Sequence, residues 1–473
     1  MQPIEGRLPT RLAFFHGLGS IAYGVKDNGF LTFLMLYYNQ VLGMDAQLVS
    51  LALMLALVID GFIDPIIGYL SDRTYSPWGR RLPWLYFAAV PLGIAWYFLW
   101  AVNEAPSFWG LVGLAVLIRI LVSACEVPSI ALVPELTRDY DERTRLMRFR
   151  FLFGWAGGLF VMMLAYNVFL ADGLLQADGY RAYGITGALL ITFGVLISAA
   201  AQHRYAAGYP PRARSKFSLL TAFSELRESF SHRAFLILLA GGALAYTSQG
   251  ITFTISNYLY LFVWEFSRDA LKFYPWILFL SVIVTFMVLP RLHARWGKRD
   301  TAKVTALIGA AFWATPFLLR PFGLWLEVGS TASTVALFAL FFLSNVFSVS
   351  AMISASSMVA DVVEASEEQT GRRSEGAFFA GNMFMAKCAT GLGIFVTGQM
   401  LAFSGLQGKA DPGQVPASVI DTLSLTYALT VAVFAIGVFL VIRRFPITRA
   451  DHEARLEKLG AARTNPDAEG MHP

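Results

Sequence analysis

Two carboxylates, Asp60 and Asp64, stand four residues apart in LVIDGFIDPII, a stretch otherwise apolar enough to cross a membrane. Residues at i and i+4 share a helix face, so the two stack one turn apart. A charge in hydrocarbon costs roughly 3 kcal/mol on insertion scales and is kept only against a protein interior or a watery cavity. Stacked carboxylates in such a place cannot both ionise cheaply. They make a site for a proton or, given converging oxygens, for a sodium ion. Glu126 in LVSACEVPSI adds a further carboxylate, with Ser123 three residues earlier on nearly the same face. Pro128 frees a backbone carbonyl nearby. Lys26 and Asp27 are adjacent in an apolar run. They point about 100° apart on a helix, which leaves three readings: they pair with different neighbours, Lys26 neutralises a carboxylate of the Asp60 stretch, or the two form a structural ion pair that locks helices together. Lys387, with Asn382 about a turn and a half before it, reads as a counter-ion whose role a bound cation can take. On this inventory Asp27, Asp60, Asp64 and Glu126 outnumber Lys26 and Lys387, a surplus suited to accepting a cation.

These side chains need helices to carry them, and the composition says what kind. The chain has 473 residues, 56% hydrophobic and only 15% charged, with a mean hydropathy of +0.56, whereas soluble domains carry about 25% charged residues. A spanning helix takes about 20 apolar residues. Candidate spans fall at 14–42, 47–70, 83–103, 107–133, 148–170, 183–201, 234–263, 270–290, 301–319, 333–358, 376–403 and 420–442. The fold class expected is an all-α membrane protein of twelve transmembrane helices. Loop charges orient it: Arg73, Arg80, Arg81, Arg138, Arg143, Arg145, Arg212, Arg214, Lys216, Arg291, Arg295, Lys298, Arg299, Arg372 and Arg373 lie in the even-to-odd connections. The positive-inside rule puts those connections and both termini in the cytoplasm. The formal net charge of +5 therefore reflects loops, not a nucleic-acid patch. Cys125 and Cys388 lie within spans and suggest neither a disulfide framework nor a metal cluster. The basic, then apolar N-terminus reads as an uncleaved lead into the first span.

The organisation expected is an N-terminal half over 1–202, a linker over 203–233, a C-terminal half over 234–445 and a cytoplasmic tail over 446–473. Within the linker, Phe217, Leu220, Phe223, Leu226 and Phe230 are spaced as an amphipathic helix lying on the membrane. An internal repeat supports the halves. Pro65 precedes Trp78-Gly79-Arg80-Arg81, and Pro290 precedes Trp296-Gly297-Lys298-Arg299, at corresponding places six spans apart. Asp72, Arg73, Arg80 and Arg81 are expected to form a cytoplasmic latch that gates the protein. Met352, Met358, Met383 and Met385 either pack the bundle or line an adaptable pocket. No metal-spaced His/Cys set, phosphate loop or nucleophile elbow is present, which argues against an enzyme.

The paired Lys26-Asp27, the D-x-x-x-D-P of Asp60–Pro65, Trp78-Gly79-Arg80-Arg81, Glu126-x-Pro128 and Leu132-Val133-Pro134-Glu135 together resemble the major facilitator superfamily. They are most similar to its glycoside–pentoside–hexuronide:cation symporters, the family of the melibiose carrier. Ala360-Asp361, Thr370-Gly371-Arg372-Arg373, Glu375-Gly376, Arg150 and Lys387 fall at matching places, and the likeness covers residues 10–445. The resemblance implies that Asp60, Asp64, Ser123 and Glu126 form the cation region, with Lys387 as charge partner. It implies that Asp27 and Glu126 accept sugar hydroxyls and that Arg150 lies close to the sugar. Three positions depart from the melibiose carrier: Ile63 replaces an oxygen-bearing Asn, and Ile130 and Met352 replace aromatics that would stack on sugar. The first favours a proton over sodium as coupling ion; the others disfavour a galactoside and leave an amphipathic substrate open, as in lysolipid-carrying relatives.

The reading is a multi-pass plasma-membrane symporter of a sugar or glycoside, working by alternating access with its site at midplane. It uses no cofactor beyond H+ or Na+ and acts as a monomer among lipid. A symporter of a lipid-like substrate, a lipid enzyme and a sensor are the alternatives.

Overall fold

The computed structural model describes residues 6–207, 233–370, 375–406 and 408–446. The amphipathic stretch expected near 217–230, and the tail beyond 446, lie outside them. All regular structure among the described residues is helical. The elements are α1 (Thr10–Leu18), α2 (Ile21–Asn28), α3 (Leu34–Leu36), α4 (Ala46–Asp72), α5 (Leu82–Trp100), α6 (Phe108–Leu136), α7 (Tyr140–Leu164) and α8 (Ala177–Ala206). They continue as α9 (Arg233–Tyr258), α10 (Arg268–Leu319), α11 (Thr331–Thr370), α12 (Glu375–Ser404) and α13 (Ala417–Ile442).

Local chemistry sets the helix starts. Asp45 accepts hydrogen bonds from the backbone N–H groups of Gln47 and Leu48, and Asp139 does the same for Asp141 and Glu142. Each thereby satisfies amides that have no partner inside the helix. Ser107 caps α6 through the Gly110 amide.

Among the described residues ten helices are long and apolar enough to cross a membrane, where the sequence leads one to expect twelve. Two features account for the difference. The expected spans 270–290 and 301–319 meet without an intervening loop in α10, which turns sharply at Gly297 (φ 71°, ψ 171°). The first span is divided among short pieces, with π turns at Gly29–Phe33 and Tyr37–Val41. Another π turn, Leu259–Val263, closes the seventh span at the place corresponding to Tyr37–Val41. Helices also outrun their apolar stretches. α11 continues to Thr370, beyond the 358 expected, because hydropathy reports only the lipid-facing length.

By contact the chain divides into two compact units, and the division cuts across the two sequence halves: Gln249–Pro275 and Thr390–Leu423 belong with the N-terminal segment. In this first unit α4 packs on α6, α5 on α8 and α6, and α1 and α2 on α7 and α8. Glycine makes the α2–α7 crossing close: a Cβ on Gly24 would stand 2.1 Å from the Gly154 carbonyl oxygen. The crossing sets Lys26 and Asp27 beside α7. At the far end from the Trp78 turn, Asn257 donates to the Thr32 carbonyl and accepts from Tyr166, at 2.8 and 2.7 Å. The Tyr258 hydroxyl, with one proton to give, lies 3.1 Å from the Met35 carbonyl oxygen and 3.0 Å from Asn39 Oδ1. The second unit has its own core, in which Phe235, Phe378, Met358 and Val362 are fully or nearly fully buried.

Candidate functional site

α4 and α6 bring the first expected residues together. Asp60 is buried and Asp64 half-buried, one turn apart on α4. Ser123 on α6 reaches both, with Oγ 2.9 Å from Asp60 Oδ1 and 2.7 Å from Asp64 Oδ1. A hydroxyl carries one proton and can donate it to one carboxylate only. The other short contact becomes a hydrogen bond when the carboxyl group on that side supplies the proton. The trio is thus fully satisfied with one added proton shared among three oxygens.

Arg119, not among the residues expected from the sequence, joins the site. It lies four residues before Ser123 and seven before Glu126, on the same side of α6. Its Nη1 stands 3.5 Å from Asp60 Oδ2, with both side chains only 3% exposed. The guanidinium also covers the ring of Phe30, 4.3 Å from its centroid, a cation–π contact that favours the charged group away from water. An arginine flanked by apolar residues in the middle of the fourth span is the sequence signal for it.

Glu126, half-buried, does not join the trio through a direct bond. It pairs instead with Arg150 on α7, Nη2 to Oε1 at 3.4 Å. Arg150 Nη1 donates to Ser129 at 3.0 Å, and its guanidinium lies over Tyr23 at 4.7 Å. Lys26 and Asp27 pair with each other at 2.7 Å, although neighbours point apart on a helix. The long lysine stem wraps the helix far enough to close the gap. Asp27 keeps 56% of its side chain exposed while Lys26 keeps 9%. Lys26 is also electrostatically coupled to Glu126, Arg119 and Asp60, so the two groups form one charged cluster. Within the first unit that cluster sets Asp27, Asp60, Asp64 and Glu126 against Lys26, Arg119 and Arg150. The negative surplus read from the sequence shrinks accordingly. Ile130, one turn beyond Glu126 on α6, is 43% exposed.

Three expected residues belong to the second unit. Asn382 shares a hydrogen bond with Tyr246, and Met352 and Lys387 are half-buried. Met358 is core and Met385 packs against that core, whereas Met383 is 59% exposed.

At the Trp78 turn Gly79 takes φ +80°, and a Cβ there would meet the Ala206 carbonyl oxygen at 2.6 Å. The turn delivers Arg80 and Arg81 to the end of α6. Arg80 bonds Glu135 at 2.6 Å, and Arg81 reaches Glu135, Ser71 at 2.6 Å and Asp72. Glu135 and Ser71 are additional members of the expected latch. Arg73 stands apart from it, over the ring of Tyr69 at 4.2 Å. In the second unit Gly297 also has positive φ, and Lys298 bonds Asp361, near the end of α11, at 2.5 Å. The two turns repeat the same device: a left-handed glycine followed by a cation placed on an acid of the second helix onward.

Comparison with known proteins agrees with this architecture. The profile of a family described as MFS/sugar transport protein matches residues 15–449. The uncharacterised symporter sll1374 of Synechocystis sp. (strain ATCC 27184 / PCC 6803 / Kazusa) is 27% identical, covering 96% of this chain and 97% of its own length. The putative glycoside/cation symporter YagG of Escherichia coli (strain K12) is 24% identical, covering 93% of this chain and 92% of its own. Among solved structures, the nucleoside transporter NupG superposes with a TM-score of 0.63 at 15% identity, over 92% of this chain and all of that one; that likeness concerns the fold.

Proposed function

Since the chain belongs to the MFS/sugar transport family and is a membrane transporter, not an enzyme, we propose that it couples glycoside uptake to protons. The membrane is crossed twelve times, with both termini in the cytoplasm, where the arginine-rich turns lie. What carries the reading is the Ser123 hydroxyl held between Asp60 and Asp64 at 2.9 and 2.7 Å, on helices otherwise built for lipid. One proton completes that chain of hydrogen bonds. Arg119 already pairs with the Asp60 carboxylate, so the added proton belongs on the Asp64 side. Protonation changes the charge of a cluster that also holds Lys26, Glu126 and Arg150, and this is how ion and substrate influence one another.

Asp27 and Glu126 then accept hydroxyls of the substrate, and Arg150, steadied by Ser129 and Tyr23, adds a donor. Exposed Ile130, one turn from Glu126, offers an apolar neighbour in place of a stacking ring. This favours a glycoside with an apolar non-sugar part. The putative glycoside/cation symporter among the relatives supports a glycoside as the substrate, with no word on its non-sugar part.

Counterflow in proteoliposomes is the test. Vesicles loaded with unlabelled alkyl or aryl glycoside are expected to accumulate external labelled glycoside transiently, with no chemical change to it. Free galactosides should give a smaller overshoot. A flat time course across glycosides, hexuronides and pentosides, or conversion of the label to a product, contradicts the proposal.

A further inference from the structure

We infer that Arg119 sets the ion selectivity of this transporter: its guanidinium is a built-in cation on Asp60, taking the place a sodium ion would need there. The inference rests on the reading that Asp60, Ser123 and Asp64 form the coupling site. Three observations carry it. Arg119 and Asp60 are each 3% exposed and stand 3.5 Å apart, so the pair is desolvated together. Arg119 is also held by Phe30, 4.3 Å from its ring centroid, and its buried Nε has no hydrogen-bond acceptor among the described residues. Its polar attachment in this region is therefore directed at Asp60. The third is position. Arg119 and Ser123 are one turn apart on α6, so the guanidinium and the hydroxyl approach Asp60 through its two different oxygens.

A sodium ion bound by Asp60, Asp64 and Ser123 would share the Asp60 carboxylate with that guanidinium. Two unit positive charges about 4 Å apart at an effective dielectric near 20 repel enough to weaken binding by a factor on the order of a thousand. A proton escapes this penalty. It joins a carboxyl oxygen covalently and neutralises that group in place, bringing no second cation against Arg119. Ile63 sits on α4 next to Asp64 and offers no oxygen to offset the repulsion. A buried arginine–aspartate pair with a purely structural role would also cost stability when broken. It would not, however, make the protein respond to sodium when the arginine is removed.

The experiment reads sodium binding without needing a substrate. Thermal unfolding of the purified full chain is followed while sodium chloride is titrated against choline chloride at constant ionic strength. The wild type should have the same midpoint in both salts. Arg119→Gln should acquire a midpoint that climbs with sodium, corresponding to an apparent Kd lowered at least about tenfold, or about 1.4 kcal/mol. Arg119→Lys keeps the charge and should stay insensitive. The double variant D60N/R119Q removes both charges and should lack the sodium response as well. A sodium-stabilised wild type overturns the inference, as does a folded Arg119→Gln that ignores sodium. If Arg119→Gln does not fold, the wild-type titration decides alone. Failure of the underlying coupling reading looks different: neither a pH gradient nor a sodium gradient then drives uptake by the wild type.

Discussion

Replacing Asp64 by asparagine is expected to abolish concentrative uptake while leaving counterflow largely in place. With one proton moving per substrate, a membrane potential of about 100 mV supplies roughly 2.3 kcal/mol, enough for an accumulation of the order of 50-fold. The substituted side chain would keep the short contact to Ser123, because an amide can donate to the hydroxyl as a protonated carboxyl does. The variant thus imitates the proton-loaded form permanently. It still exchanges substrate but has no proton to release, so the internal-to-external ratio should settle near unity. Glutamate at the same place should restore part of the accumulation. Concentration by Asp64→Asn matching the wild type would remove Asp64 from the coupling pathway.

The second large effect concerns the Trp78 turn. Glu135 is 5% exposed and serves both Arg80 and Arg81, which are 10% and 6% exposed. Glu135→Gln leaves two buried guanidinium groups without that carboxylate, and breaking a buried pair in this way costs about 3–5 kcal/mol. The repeat provides an internal control. Asp361 is buried too, but its partner Lys298 is 33% exposed, so the freed ammonium can reach water. Asp361→Asn should therefore cost about 1 kcal/mol, in the range of half-exposed pairs. Asp72→Asn should be mild for the same reason, since Asp72 is 55% exposed. Thermal unfolding of the three variants in one detergent gives the order directly. Equal losses for Glu135→Gln and Asp361→Asn would mean that burial of the partner cations does not set the cost.

Much of the architecture is legible because it follows from simple periodicities. Asp60 and Asp64 have to share a face of one helix, and Ser123 is the hydroxyl that the fourth span offers them; the folded chain sets it at 2.9 and 2.7 Å from the two. The Trp-Gly turns are legible as a repeat, although their left-handed glycines and the acids they address emerge only from the folded chain. Arg119 is plain in the sequence as an arginine inside the apolar run LAVLIRILVS, but its partner Asp60 lies on another helix and emerges only from the folded chain. The Lys26–Asp27 pair is only one of three readings in the sequence, because a rule about Cβ directions does not bind a side chain as long as lysine. The division of the first span by π turns has no sequence signal. Nor does the grouping of Gln249–Pro275 with the N-terminal segment, which depends on contacts far apart in the chain.

The proposed coupling ion is a proton held by Asp64, Ser123 and Asp60. The most direct measurement is labelled glycoside uptake into proteoliposomes under one imposed gradient at a time. An inward pH gradient without sodium should drive accumulation, about tenfold per pH unit for one proton per substrate, and a protonophore should collapse it. A sodium gradient at uniform pH should do nothing. Accumulation driven by sodium with the protonophore present would contradict the account.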